Sequence, residues 1–405
     1  VQPTSSERAY RHSSLEVLLA FLKLGLTSFG GPIAHIGYFR AELVVKRRWL
    51  DDAAYTDLVA LYQFLPGPSS SQLGFSLGLL RAGYRGALAA WTGFTLPSAT
   101  LMTAFAFGAA SLGGAMGTGL LHGLELVAVA IVAQAVWQMG RTMCPDLPRA
   151  AIAALVAVWM LGSASAASQV GALVLGAALG YWLCRDPSAN TTGVLHCPVS
   201  RRVAVAALGT FFFLLAMLPM LRAAYSVPGL ALFDAFYRSG ALVFGGGHVV
   251  LPLLRDAVVS PGWVSERTFL AGYGAAQAMP GPLFTFAAYL GAVTTTTPHG
   301  FAGAAIALVG IFLPGMLVLI GTLPPWAGFR SSVGAQAITR GINAAVVGLL
   351  AAALYSPLWT RSVLTAADMI VAIIGFLLLT VWSTPPVVVV IGGAIAGVSL
   401  SIFAG

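Results

Sequence analysis

Apolar residues in this chain come in long runs, not in alternating or one-sided stripes. Along 15–30, 33–45, 52–65 and 69–81 the runs are 13 to 16 residues long, shorter than the about 20 residues a spanning helix needs. Lys46-Arg47-Arg48 lies between the two pairs, and Arg81 and Arg85 follow the second. Short paired runs bounded by cations predict two helical hairpins that enter from the cytoplasm and turn back inside the membrane. Their tips fall at Gly30-Gly31-Pro32 and Pro66-Gly67-Pro68. Non-helical backbone at that depth persists only against protein or a water-filled cavity. Residues 86–110 and 119–142 are long enough to cross out and back, and a further apolar pair follows at 149–163 and 167–184. Continuous runs of this kind argue against a β-barrel, whose strands alternate.

The pattern then repeats. Phe21, Lys23, Gly25, Phe29 and Gly30-Gly31 reappear as Phe236, Arg238, Gly240, Phe244 and Gly245-Gly246, a shift of 236 − 21 = 215. Trp49, Gln63 and Pro66-Gly67-Pro68 reappear as Trp263, Gln277 and Pro280-Gly281-Pro282, a shift of 263 − 49 = 214. His122-Gly-Leu-Glu125 resembles Arg340-Gly-Ile-Asn343 at 340 − 122 = 218, and the apolar pair 362–382 and 385–404 mirrors 149–184. Residues 203–222 form one extra span with no counterpart. Such a span starts the second repeat on the opposite side of the membrane. The positive-inside rule supports this inversion. The loop equivalent to Lys46-Arg47-Arg48 holds one Arg and one Asp, Arg255 and Asp256, whereas the basic-free loop 111–122 corresponds to 323–340 with Arg330 and Arg340. Arg361 runs against the rule. The expected fold is therefore an all-α polytopic membrane protein, with two inverted-topology repeats built on re-entrant or broken helical hairpins and about 13 helical membrane segments. The expected division is a cytoplasmic segment 1–14, a first repeat 15–184, a cytoplasmic loop plus linker span 185–230, and a second repeat 231–405.

Composition sharpens the class. Hydrophobic residues make up 58% of the chain and charged residues 8%, against about 25% charged in an average soluble domain. The net charge of +8 sits at the ends of apolar segments, so it reads as membrane sorting and not as nucleic-acid binding. Cys144, Cys184 and Cys197 form no CxxC and imply neither a disulfide framework nor a metal site. There is no P-loop pattern and no HExxH. No enzymatic activity, cofactor or metal is expected. The polar residues 1–14 do not resemble a cleavable signal, so the first membrane segment serves as its own insertion signal.

Three motifs carry a resemblance. Phe-Leu-Lys-Leu-Gly-Leu-Thr-Ser-Phe-Gly-Gly-Pro-x-x-His at 21–35, Gln-Phe-Leu-Pro-Gly-Pro at 63–68 and Phe-Gly-Gly-Gly-His at 244–248 are similar to the chromate ion transporter family in its long two-domain form, as is the stretch 274–282. The resemblance implies a multi-pass protein of the bacterial inner membrane that moves chromate outward and confers chromate resistance. Sulfate is the obvious structural analogue. Sulfate or other oxyanion transport, or a passive anion channel, is the alternative reading. Membrane lipid surrounds such a protein, and a homodimer is compatible with it.

The residues themselves point to an anion site. A tetrahedral dianion inside a membrane needs donors on several sides. Helix N-termini supply unpaired N–H groups and about half a positive charge each. Gly30, Gly31, Gly67, Gly245, Gly246 and Gly281 let backbone approach an ion closely. Lys23 and Arg238 are pseudo-equivalent cations within short arms, where a charge costs about 2.5–3.5 kcal/mol unless it faces a polar interior. Ser69, Ser70, Ser71 and Gln72 follow the first Pro-Gly-Pro and Thr285 follows the second. They can donate to an oxyanion, or cap the new helix. Gln63 and Gln277 can bind the ion or brace a hairpin. His35 and His248 can ligate it or carry a proton. Glu125, within a full span, and Glu42 are the proton-coupling candidates; pairing with Arg40 or Lys46 is the plainer role for Glu42.

Overall fold

The computed structural model describes residues 13–111, 114–163, 166–185, 199–225, 227–244, 247–326 and 332–403. All regular structure among them is helical. The first half contains α1 (Ser14–Thr27), α2 (Gly31–Phe39, continuing as a π-helical turn Arg40–Lys46), α3 (Asp52–Phe64), α4 (Ser69–Ser111), α5 (Gly114–Met143), α6 (Leu147–Gly162) and α7 (Ala166–Leu183). α8 (Arg201–Ala224) lies between the two halves. The second half contains α9 (Pro228–Ala241), α10 (Val250–Val258), α11 (Glu266–Ala276), α12 (Phe286–Val293), α13 (Gly300–Thr322), α14 (Val333–Ala353), α15 (Ala366–Thr380) and α16 (Pro386–Phe403). One-turn 3₁₀ segments, Gly247–Val249 and Leu283–Thr285, lead into α10 and α12.

Helix starts follow local chemistry. Ser13, Asp51, Asp146, Ser200, Ser265 and Ser332 each accept a first-turn backbone N–H at the start of α1, α3, α6, α8, α11 and α14. These side chains satisfy donors that no intrahelical carbonyl can reach. Pro32 falls in the first turn of α2, where a missing N–H is harmless. The short run 69–81 ends at a true break inside α4, at Ala82 and Gly83.

The duplication holds at the level of elements. α1 and α9 are both 14 residues long. α3 and α11 begin 266 − 52 = 214 residues apart, and α6 and α15 begin 366 − 147 = 219 apart. α1 packs on α4 as α9 packs on α13. The C-terminal pairs are exchanged: α5 packs on α15 and α16, while α14 packs on α6 and α7, and α5 and α14 touch each other. Small residues make these crossings. A Cβ on Gly123 would meet backbone of Gly393 and Ala394, and one on Gly341 would meet backbone of Gly176 and Gly180. Close approach at glycine is how apolar helices gain contact where lipid removes the hydrophobic drive between them.

Among the described residues, four helices are long and apolar enough to cross a membrane by themselves: Met116–Met143, Arg201–Ala224, Gly300–Thr322 and Val333–Ser362. α8 is the least buried of these, at 22% of its apolar window. It turns Val205, Phe212, Phe213 and Met220 outward. With Leu88, Val158, Trp182, Ile374 and Ile395 exposed elsewhere, the outer surface is apolar on many sides, as a lipid-facing surface is. The chain is a multi-pass membrane protein.

Candidate functional site

The helix breaks of the two halves meet. The Gly67 N–H donates to the Val243 carbonyl at 2.7 Å, and the Gly281 N–H donates to the Ser28 carbonyl at 2.8 Å. These are the same bond made twice, since Gly67 and Gly281 are equivalent, as are Ser28 and Val243. The Pro-Gly-Pro break of each half is thus tied to the backbone just before the Gly-Gly break of the other. Gly67 (φ 119°) and Gly281 (φ 93°) are left-handed, as are Gly30 (φ 94°) and Gly31 (φ 77°). Only glycine takes such backbone without strain. Gly245 and Gly246 lie outside the described residues.

Most of the hydroxyl and amide side chains named from the sequence surround this crossing. Gln72 donates from Nε2 to the Pro66 carbonyl at 2.8 Å and to the Gly315 carbonyl at 2.9 Å, so it braces the first tip. The Thr285 hydroxyl donates to the Pro282 carbonyl at 2.8 Å and braces the second. Ser70 and Ser71 are buried, and Ser69 is partly so. Gln63 lies in the last turn of α3, with its side chain outside the description. The Ser28 hydroxyl, Ser71 hydroxyl, Gln72 Oε1, Thr95 hydroxyl and Gln277 Nε2 are buried without a hydrogen-bond partner. His35 is fully buried between Phe39 and Phe94, beside the Ser28 backbone, and neither ring nitrogen makes a well-formed hydrogen bond. Buried polar groups are seldom left so. His248 differs: its Nδ1 lies 2.6 Å from the Tyr273 hydroxyl.

The two cations named from the sequence are each paired with a carboxylate. Lys23 is half exposed and bonds Glu42 at 2.8 Å. Glu42 also bonds Arg47 at 2.9 Å and Lys46 at 3.5 Å. Lys46 is thus one of three partners of Glu42, while Arg40 turns to Asp52 at 2.8 Å. Arg238 bonds the fully buried Asp234 at 2.8 Å, and Arg222 approaches the same carboxylate at 3.6 Å. Glu125 lies apart, on α5. It faces Arg267 at 3.3 Å and His122 at 3.5 Å, and His122 reaches Asp368 at 2.8 Å. Among the described residues no group of three or more His, Cys, Asp or Glu side chains is placed to hold a metal ion.

The family model described as chromate transporter matches residues 15–182 and again 230–398. The chain belongs to the chromate transporter family. Because the same model fits twice, each half is itself one unit of the family. Relatives include the chromate transport protein of Pseudomonas aeruginosa, 29% identical over 350 residues that cover 83% of this chain and 79% of that protein. The probable chromate transport protein of Synechococcus elongatus is 28% identical over 346 residues, 82% of this chain and 81% of that one. The chromate transport protein of Cupriavidus metallidurans is 26% identical over 344 residues, 84% and 81%. No solved structure matches the chain.

Within this chromate transporter family member, one pair of motifs that touch the tips is not among the residues named from the sequence. Leu96-Pro97-Ser98 in α4 and Leu313-Pro314-Gly315 in α13 repeat at 313 − 96 = 217. A Cβ on Gly281 would touch Ser98 Oγ, and one on Gly67 would touch Gly315 Cα. The prolines free backbone carbonyls one turn earlier, and the following small residue receives a tip glycine. Gln72 links this motif to its tip. Gln72→Leu removes one buried and one part-buried hydrogen bond to carbonyls, a cost of about 1–3 kcal/mol. We expect a lower thermal unfolding midpoint in detergent and slower chromate flux. An unchanged midpoint would show that Gln72 does not brace the tip.

Proposed function

We propose that this protein is a secondary active transporter that exports chromate across a bacterial inner membrane and so confers chromate resistance. The oxyanion binds near mid-membrane between the crossed breaks of two inverted repeats, 15–184 and 231–405, joined by the linker span. The observation that carries this reading is the doubled hydrogen bond between the tips. It gathers left-handed glycines from both halves, and the unpartnered donors of Ser28, Ser71, His35 and Gln277 lie on the same segments. The N-termini of α2 and α4 begin at these breaks and add their partial positive charge.

Lys23 and Arg238 stand one arm short of the tips, each held by a carboxylate. Arrival of a dianion exchanges one anionic partner for another, which lets binding reset the two arms. Replacing both by Gln is expected to weaken oxyanion binding strongly while the protein stays monodisperse. Full transport by the double variant would remove these cations from the site. The names of the relatives favour chromate over its shape analogue sulfate.

The direct test is radiolabelled chromate uptake into inside-out vesicles, with and without an imposed proton gradient, and with sulfate as competitor. Gradient-driven accumulation is the expected result. Flux that only equilibrates would point to a passive channel. Absence of flux from folded protein would overturn the chromate reading.

A further inference from the structure

Away from the tips, four ionisable side chains from three helices meet on α5. His122 and Glu125 come from α5 in the first half, Arg267 from α11 and Asp368 from α15 in the second. Glu125 and Asp368 are buried. Asp368 Oδ2 accepts the backbone N–H groups of Leu364 and Thr365 at 3.1 and 2.9 Å at the start of α15, contacts that favour the ionised carboxylate. Its other oxygen, Oδ1, faces His122 Nε2 at 2.8 Å, while His122 Nδ1 faces Glu125 Oε2 at 3.5 Å. Glu125 Oε1 faces Arg267 at 3.3 Å.

The imidazole therefore looks at a carboxylate from each nitrogen. A neutral ring has one N–H and one lone pair, so it can serve only one of them. The imidazolium serves both. With His122 protonated the four groups sum to zero charge. Without that proton the cluster holds one uncompensated negative charge among buried atoms, an arrangement burial disfavours. The deprotonated ring keeps its shorter contact to Asp368 and turns a lone pair towards Glu125, which is then left to Arg267.

We infer that His122, clamped between Asp368 and Glu125, is the proton-carrying group of the transporter and loads from the external side. This rests on the reading of the chain as a gradient-driven exporter. In the proposed topology the 111–122 end of α5 and the turn before α15 face outward, and the half-exposed Arg267 marks the same end of α11. α11 runs about 15 Å from Arg267 to Ala276, and one turn joins it to the second Pro-Gly-Pro tip. α5 packs along it, with the Leu124 carbonyl against Gly274. A change in what holds Arg267 is thereby passed to the tip.

The repeat supplies a control. The position equivalent to His122 holds Arg340, a permanent cation, which donates to the Cys184 carbonyl and to Gln336. The other charged groups on elements packed against α5 are occupied or outward. Glu266 on α11 pairs with Arg255, and Arg361 on the turn 360–362 is exposed. α16 brings no charged residue within Pro386–Phe403.

The test compares the wild-type chain with His122→Arg and His122→Asn in proteoliposomes. Two readouts are taken: chromate counterflow at equal pH, and chromate accumulation under an imposed pH gradient with an internal pH dye. His122→Arg keeps a cation between the carboxylates and cannot release a proton. It should retain counterflow while losing gradient-driven accumulation and proton movement by about tenfold or more. His122→Asn should lose the coupled readouts as well. Proton-coupled accumulation by His122→Arg at the wild-type level would overturn the inference, as would its loss of counterflow when folded. Wild-type counterflow without proton movement would overturn it too, and would leave oxyanion transport standing. Absence of wild-type counterflow would instead refute the transport reading itself.

Discussion

Alanine at Gly67 or Gly281 is expected to remove most chromate flux, and the two variants should fail alike. Both residues sit at positive φ, 119° and 93°, where a Cβ costs about 1–2 kcal/mol of backbone energy. Both also lack room. A Cβ at 67 would stand 2.8 Å from Gly315 Cα and 2.9 Å from Gln72 Nε2; at 281 it would stand 2.9 Å from Ser98 Oγ and 3.1 Å from the Phe94 carbonyl. Relief of either clash displaces the tip and stretches its N–H bond to the other half, worth about 1 kcal/mol more. We expect transport to fall by more than about tenfold, since misplacing contacts by an ångström can cost that much or more. The thermal midpoint should fall as well. Gly83→Ala is the control, because Gly83 also has positive φ (63°) but nothing lies within 4 Å of its would-be Cβ. Its flux should stay close to wild type. Wild-type flux from Gly281→Ala would show that the crossing is not needed for transport.

The second large effect is on assembly. Gly123→Leu and Gly341→Leu insert a bulky side chain where backbones of the two halves touch. Overpacking typically costs about 1–3 kcal/mol, and here no flexible neighbour can yield, since the opposing atoms are Gly393 and Ala394 backbone in one case and Gly176 and Gly180 backbone in the other. We expect loss of monodisperse protein in size-exclusion chromatography for each variant. Gly209→Leu, on the lipid-facing linker with open space around its Cβ, should behave as wild type. Normal elution of both crossing variants would contradict the exchanged packing.

The hairpin breaks and the doubling were legible because they are written locally. Gly-Gly-Pro and Pro-Gly-Pro stop helices wherever they stand, and repetition at a steady offset needs only the sequence. Which break meets which was not legible. Gly67 bonds Val243 and Gly281 bonds Ser28, and nothing local says that each half closes on the other and not on itself. The partners of the charged residues were hidden for the same reason. Lys46 was foreseen for Glu42, but Lys23 comes from a separate helix 19 positions away and Arg47 from the end of the π turn. His122 and Asp368 are 246 positions apart. The Leu-Pro-Ser and Leu-Pro-Gly pair is written in the sequence, yet lies inside apolar runs where a proline reads only as a kink.

The exchange of C-terminal helix pairs has a bearing on how the molecule is made. When α5 leaves the ribosome, the helices that will cover it, α15 and α16, have not been synthesised. The α5 seam at Gly123 therefore gains its cover only when the chain is nearly complete. Domains elsewhere fold one after another during synthesis; here neither half can finish before the other. A truncation within the last two helices should strip cover from α5 in the first half while α14 keeps its own, so the lesion would surface far from the cut.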